Sequence, residues 1–327
     1  MKLLAFLLEC AAIAALVGAA ASLAVWPLLA GLRRRLPTRA ALRADLSLLL
    51  GLLPAAVTLA VLAGSVAPAL DTALTGSGDH CLSHLHHLHL CLVHPAGLRP
   101  PLATLGAVAL AVFLFRFGGT LLHWLDHARR LASLEALGVR QPHSPAVVLL
   151  PGAPSLFHAA GVLRPRILVS AQLTRLLEPE ELEAALAHER LHLRRADPLG
   201  TLALRLLGAF SLPHLAQLAQ DLFRTAAEEA CDAGAARHLG DGPVVAAALL
   251  KVATFQKAAF LPGAAAFGEH ALERRVKLLL ADSLSDGRVH SRWRWPAGAV
   301  LAALAGAALL HTERVHHAAE TLLHHLS

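Results

Sequence analysis

A chain of 327 residues that is 56 % apolar and only 16 % charged, with a mean hydropathy of +0.55, is not composed like a purely soluble protein. Soluble domains carry about 25 % charged residues. The net charge of +6 invites a nucleic-acid reading, but there is no Tyr, and the basic residues cluster beside apolar runs instead of alternating with aromatics. This argues against direct nucleic-acid binding and for contact with anionic lipid.

In chain order, the first apolar run spans Leu3 to Gly31 and is broken only by Glu9. It is too long for the apolar part of a signal peptide, and Arg33, Arg34 and Arg35 follow it instead of preceding it. That is the pattern of a retained span with its N-terminus outside. Arg39 and Arg43 extend the basic loop on the cytoplasmic side. Leu46 to Leu70, tolerating Pro54, then carries the chain out, and Leu102 to Phe115 returns it. Pro296 to Leu310 makes a fourth span. A bilayer core needs roughly 20 apolar residues, so the last two runs borrow flanks. Trp124, Trp293 and Trp295 sit where an aromatic belt is expected. The expected organisation is three spans over 1–127 with an external loop at 71–101, a cytoplasmic domain at 128–295, a fourth span at 296–310 and an external tail at 311–327.

The cytoplasmic stretch opens with short strands at Ala146 to Leu150 and at Arg166 to Ser170, after the turn Gly161-Val162-Leu163-Arg164-Pro165. Glu178-Pro179-Glu180-Glu181 is a helix start, with Pro in the first turn and carboxylates facing the helix dipole. This helix is expected to run to about Asp197, where Pro198 follows, and a second from Leu199 to Leu212. The second is apolar, but Arg205 interrupts it and its length suits a core helix better than a span. Further helices are expected up to Leu239-Gly240, over Pro243 to Ala259 and over Glu269 to Ala281.

The chemistry lies in His188-Glu189-Arg190-Leu191-His192. Residues four apart share a helix face, so His188 and His192 can present two imidazoles to one tetrahedral zinc. Glu189, beside them, is placed to act as a base rather than as a ligand. With 21 His in the chain, such a motif also arises by chance, so it needs support. Ala227-Glu228-Glu229-Ala230-Cys231-Asp232 offers it: Glu228 and Asp232 share a face, Glu228 as third ligand and Asp232 as hydrogen-bond acceptor for a ligand imidazole. Glu229 points about 100° away. The alternative is a solvated acidic face. For the oxyanion, with no Tyr in the chain, His270, Arg275 and His238 are the candidates.

Taken together, His188 to Asp197 and Glu228 to Asp232 resemble the antirepressor membrane peptidases of the beta-lactam-sensor (BlaR/MecR) type. Gly161 to Ser170, Pro179-Glu180-Glu181-Leu182 and Glu273-Arg274-Arg275-Val276 resemble that family's flanking segments. The resemblance implies a mainly α membrane protein with four transmembrane helices and a cytoplasmic α+β gluzincin-like zinc peptidase domain before the last span. It implies one catalytic Zn2+, held by His188, His192 and Glu228, in the cytoplasmic membrane of a bacterium. It also implies regulated cleavage of a cytoplasmic, DNA-binding repressor. The expected partners are the bilayer, that protein substrate and a second copy in a homodimer. Only 17 residues follow Leu310, too few for the penicillin-binding domain of the best-known members, so beta-lactam sensing is not expected.

The loop between the second and third spans is dense in His80, Cys81, His84, His86, His87, His89, Cys91 and His94, and His311, His316, His317, His324 and His325 fall on the same side. Imidazole and thiolate suit zinc or copper, so an external metal- or pH-responsive element is expected there. A Cys81–Cys91 disulfide with solvated histidines is the plainer account. Cys10 and Cys231 read as packed thiols. Two other functions stay open: a quality-control membrane protease of the HtpX or prenyl-protease type, and a non-catalytic metal-sensing receptor.

Overall fold

Helices α1 (Lys2–Arg34), α2 (Ala40–Thr75) and α3 (Pro100–Leu137) dominate the computed structural model. The structure describes residues 2–34, 39–75, 90, 100–141, 144–152, 156–162, 164–259, 266–281, 298–299, 303, 306–307 and 310–325. Among these, the three helices are long and apolar enough to cross a membrane. Pro27, Pro54 and Pro68 lie inside them, which is tolerated where neighbouring helices cover the freed backbone groups. α1 and α3 approach so closely that a Cβ on Gly106 would strike the Leu8 carbonyl, the small-residue packing of membrane helices. Of the fourth span expected over 296–310 the structure describes residues 298–299, 303, 306–307 and 310, and the loop histidines and both loop cysteines lie outside the described residues.

α3 runs on well past its most apolar stretch. It continues to Leu137 and feeds a four-stranded sheet of β1 (Val139–Gln141), β2 (Ser144–Leu150), β3 (Phe157–Ala160) and β4 (Arg166–Ser170), in the order β1-β2-β4-β3. β2 and β4 pair in parallel with Val147 opposite Ile167, and β3 runs antiparallel to β4 with Phe157 opposite Val169. Alternating side chains bury both faces. Val147, Ile167 and Val169 pack on one side with Phe157 and Leu173, whereas Val148, Leu150 and Leu168 pack on the other against Leu131 of α3. β2 and β4 match the sequence expectation. β1 and β3 were not foreseen, being too short to show an alternation.

The helices that follow are α4 (Ala171–Leu176), α5 (Pro179–Arg195), α6 (Asp197–Leu207), α7 (Pro213–Leu239), α8 (Gly242–Ala259) and α9 (Ala266–Leu280). α5 begins with a capping box between Glu178 and Glu181, with Pro179 in its first turn. It ends at Arg195, two residues earlier than expected, because Ala196 adopts a left-handed conformation (φ 55°) and its N–H closes on the carbonyls of His192 and Leu193. α6 also ends early, at Leu207, and passes into a 3-10 turn over Gly208–Phe210. Arg116 of α3 holds that turn, donating to Gly208 O at 2.7 Å and Ser211 O at 2.7 Å. Of α6, expected either in the core or packed at a membrane surface, Gly200 and Leu204 are buried whereas Leu199 is 52 % exposed.

Two clusters position the site. Ala184, Ala187 and Leu191 of α5 pack on Cys231, Ala235 and Ala236 of α7 and on Val245, Ala246 and Ala248 of α8. These small residues let the helices meet closely, and a Cβ on Gly234 would lie 2.6 Å from Leu191 Cδ1. In the second cluster, Leu215, Ala219 and Phe223 of α7 pack with Leu204 of α6 on Val25 and Leu29 of α1 and Ala44 of α2. The apolar helices and the following domain therefore share one core. At the opposite end of the bundle, α10 (Thr312–His325) lays Ala319 and Leu323 against Phe6, Ile13 and Leu102. There His316 Nδ1 meets Ser65 O at 2.7 Å, and its Nε2 lies 3.1 Å from Glu320 Oε1.

Candidate metal centre

α5 and α7 cross where Leu191 meets Gly234, which brings the two halves of the sequence pattern face to face. His188 Nε2 lies 3.1 Å from His192 Nε2. Glu228 of α7 reaches both, with Oε2 3.5 Å from His188 Nε2 and Oε1 3.6 Å from His192 Nε2. A tetrahedral ion with bonds of about 2.0–2.2 Å separates its ligand atoms by roughly 3.2–3.6 Å. The three side chains are thus spaced as ligands of one ion.

The outward nitrogens of the two rings are engaged as well. His188 Nδ1 lies 2.9 Å from Asp232 Oδ1, and His192 Nδ1 lies 2.8 Å from Asp197 Oδ2. Carboxylates in these positions fix the tautomer with the proton on Nδ1 and the lone pair on Nε2. Two neutral imidazoles so held would point lone pairs at each other across 3.1 Å, with a carboxylate opposite. Only a proton or a cation between them relieves that arrangement. Burial disfavours a charged His188, but its hydrogen bonds to Asp232 and Glu228 outweigh burial and push it up to about 10. Burial likewise opposes a charged Glu228, yet the His188 hydrogen bond and the Arg275 charge hold its carboxyl well below the usual range.

Arg275 of α9 organises the acidic side. Its Nε and Nη2 form a fork on Asp232 at 2.6 and 2.8 Å, and its Nη1 lies 3.0 Å from Glu228 Oε2. Against the cost of burial, the bidentate hydrogen bond and charge of Arg275 keep the Asp232 carboxyl ionised. Arg275 was expected as an oxyanion donor. Here it clamps the Asp232 and Glu228 carboxylates while also lining the cleft. The other two oxyanion candidates are not in the cleft wall. His270 is 94 % exposed beside Glu273, and His238 is 64 % exposed beside Glu183, both on outward helix faces.

Glu229 turns away, as its angular offset implies. Its carboxylate is held by Arg43 of α2 and by Arg274 Nε of α9, the latter at 2.8 Å. Cys231 donates to Asp197 Oδ2 at 3.9 Å. Burial, reinforced by the Asp197 charge, raises its pKa well above that of an ordinary thiol. The neighbouring trio of His192, Asp197 and Cys231 also brings its ligand atoms within 4.8 Å of one another, and it shares His192 with the first group.

Glu189 is buried and accepts from Ala159 N–H at 2.6 Å. Ala159 belongs to β3, the edge strand, whose pairing with β4 turns this N–H outward. The cleft over the site has a volume of about 600 Å³. Leu156, Phe157 and His158 of the β3 side face Val245, Leu249, Val252 and Gln256 of α8 across it. His158 and Gln256 had no sequence signal, since neither belongs to a spaced motif; only the edge position of β3 could have drawn attention to His158.

The decisive comparison covers the same stretch. Residues 154–279 match the family model of the BlaR1 peptidase M56. The match runs from the β3 side of the cleft through α5 and α7 to α9, so it contains every side chain of the centre described above. It agrees with the resemblance read from HExxH and the downstream pair of acids. Neither a curated protein nor a solved structure matches the chain. The segment that matches this family model thus lies on a chain whose described residues include three helices long and apolar enough to cross a membrane.

Proposed function

We propose that this protein is a membrane-bound zinc metalloendopeptidase that cuts a cytoplasmic protein, a DNA-binding repressor being the substrate class. The observation that carries the reading is the pair of imidazole Nε2 atoms 3.1 Å apart, each ring backed by a carboxylate and faced by Glu228. Two imidazoles and one carboxylate are the donor set of a catalytic zinc with an open fourth position. When bound, zinc would polarise the scissile carbonyl and acidify the attacking water.

The remaining steps belong to the chain. His188, His192 and Glu228 would hold the ion, and Asp232 and Asp197 keep the two rings in the right tautomer. Glu189 takes a proton from the attacking water and delivers it to the leaving amine. The Ala159 N–H occupies one of its oxygens and leaves the other as the base. An extended substrate segment adds to the free edge of β3, between that strand and α8. Leu249 and Val252 then give its side chains an apolar wall. Arg33, Arg39 and Arg43 at the domain end of the first two spans support a cytoplasmic placement by the positive-inside rule.

The test is metal analysis of the purified full chain, combined with cleavage of a candidate repressor by wild type and Glu189→Gln. One zinc per chain in both proteins is expected, with a rate about 10²–10⁴ lower in the variant. Cleavage at wild-type rate by a zinc-loaded Glu189→Gln protein would remove the assignment.

A further inference from the structure

A second cavity, of about 230 Å³, lies where α1, α2, α7 and α9 converge, behind Glu229 and away from the cleft. Arg33, Arg43 and Arg274 line it, with Ser47 and Thr225 as hydroxyls and Asp221 as an acid. Asp221 is already paired with Arg224 at 3.3 Å. Glu229 is shared between Arg43 and Arg274, so the three guanidinium groups outweigh the acids beside them. Arg43 is only 6 % exposed, yet its Nε is a buried donor without a hydrogen-bond partner among the described residues. A buried, unpaired guanidinium N–H is costly and calls for an acceptor.

The location suggests which acceptor. Arg33 is the last residue of the first apolar span and Arg43 lies in the first turn of the second, which begins at Ala40. Beside the charges, Leu32, Leu218 and Leu222 give the cavity an apolar wall. A pocket that combines three guanidinium groups with leucines and has span ends for walls suits the headgroup layer of the leaflet on the peptidase side. We propose that it binds the phosphate of an anionic phospholipid headgroup, received by Arg43 Nε with Arg33 and Arg274 and with the glycerol against the leucines. Free phosphate shares this chemistry but has no use for the leucines.

The test uses the full chain in detergent, titrated with dioleoylphosphatidylglycerol or dioleoylphosphatidylcholine and read by native mass spectrometry. One phosphatidylglycerol should be retained at least about tenfold more tightly than phosphatidylcholine. Arg33→Gln removes a cation at the exposed rim, and Thr225→Trp fills the cavity; neither touches the Arg43–Glu229 pair. Each should weaken retention, about fivefold for the lost arginine. Equal retention of both lipids, or unchanged retention in both variants, would overturn the proposal. So would millimolar inorganic phosphate raising the wild-type melting midpoint, but not that of Thr225→Trp, while phosphatidylglycerol is not preferred.

Discussion

Asp45, in the second turn of α2, lies 3.7 Å from Arg195, the last residue of the HExxH helix, and both side chains are almost fully buried. Arg195 Nε reaches Asp197 at 3.2 Å, and Asp197 in turn holds His192 Nδ1 at 2.8 Å. A chain of buried charges thus runs from the start of α2 to the imidazole of His192 in the candidate centre. Removing one member of such a chain leaves the others uncompensated. Asp45→Ala is therefore expected to destabilise the fold by about 3–5 kcal/mol. Calorimetry on the detergent-solubilised protein would measure it; an unchanged midpoint would show that Asp197 alone satisfies Arg195.

The carboxylates behind the two rings make a separate prediction. Asp232→Asn and Asp197→Asn should each weaken zinc binding about 10–100-fold. Asp232→Asn should cost more stability as well, because it also breaks the fork from Arg275. Competition with a chromophoric chelator gives the affinity. Equal affinity in wild type and both variants would mean the rings are oriented by packing alone.

Away from the centre, Lys251 of α8 pins the start of α5 through Glu181 at 2.7 Å. Burial raises the Glu181 pKa, but the Lys251 hydrogen bond and the Glu178 N–H outweigh it and hold the carboxyl below its usual value. A depressed carboxyl contributes stability above the unfolded pKa of about 4.3, and the contribution is lost as pH falls through the folded value. Lys251→Met should therefore melt below wild type at pH 7, and the two melting curves should converge under acid. A gap that persists at low pH would assign the effect to the Lys251 stem instead.

Ala196 carries the left-handed turn that lets Asp197 fold back onto His192. An alanine in that conformation costs roughly 1–2 kcal/mol relative to a helical one, and a glycine does not. Ala196→Gly is expected to raise the melting midpoint with zinc affinity intact. The β-branched Ala196→Val should lower both. A midpoint unchanged in both variants would show that the turn is held by its neighbours.

Much of this architecture was legible along the chain. Helical spacing put His188 with His192 and Glu228 with Asp232, and the same spacing turned Glu229 aside, where Arg43 and Arg274 now meet it. Runs of apolar residues marked the three long helices because length and hydropathy are local properties. β3, the Ala196 turn and the role of Arg275 were not legible. β3 is four residues long and is a strand only because β4 pairs with it. Ala196 has a side chain that ordinarily favours continuing the helix.

What the sequence determined by itself, then, is the chemistry available to HExxH and its acidic partners, and the helices on which those residues ride. Both are set by residue type and a 3.6-residue period. The tertiary structure alone decided which groups from distant segments complete the centre: Arg275 behind the carboxylates, the Ala159 N–H on Glu189, and Asp45 at the far end of the charge chain. These contacts join residues tens to more than a hundred positions apart, so no local pattern encodes them. They follow from the packing of α9 on α7, of β3 on α5 and of α2 beside the end of α5, which only the folded chain creates.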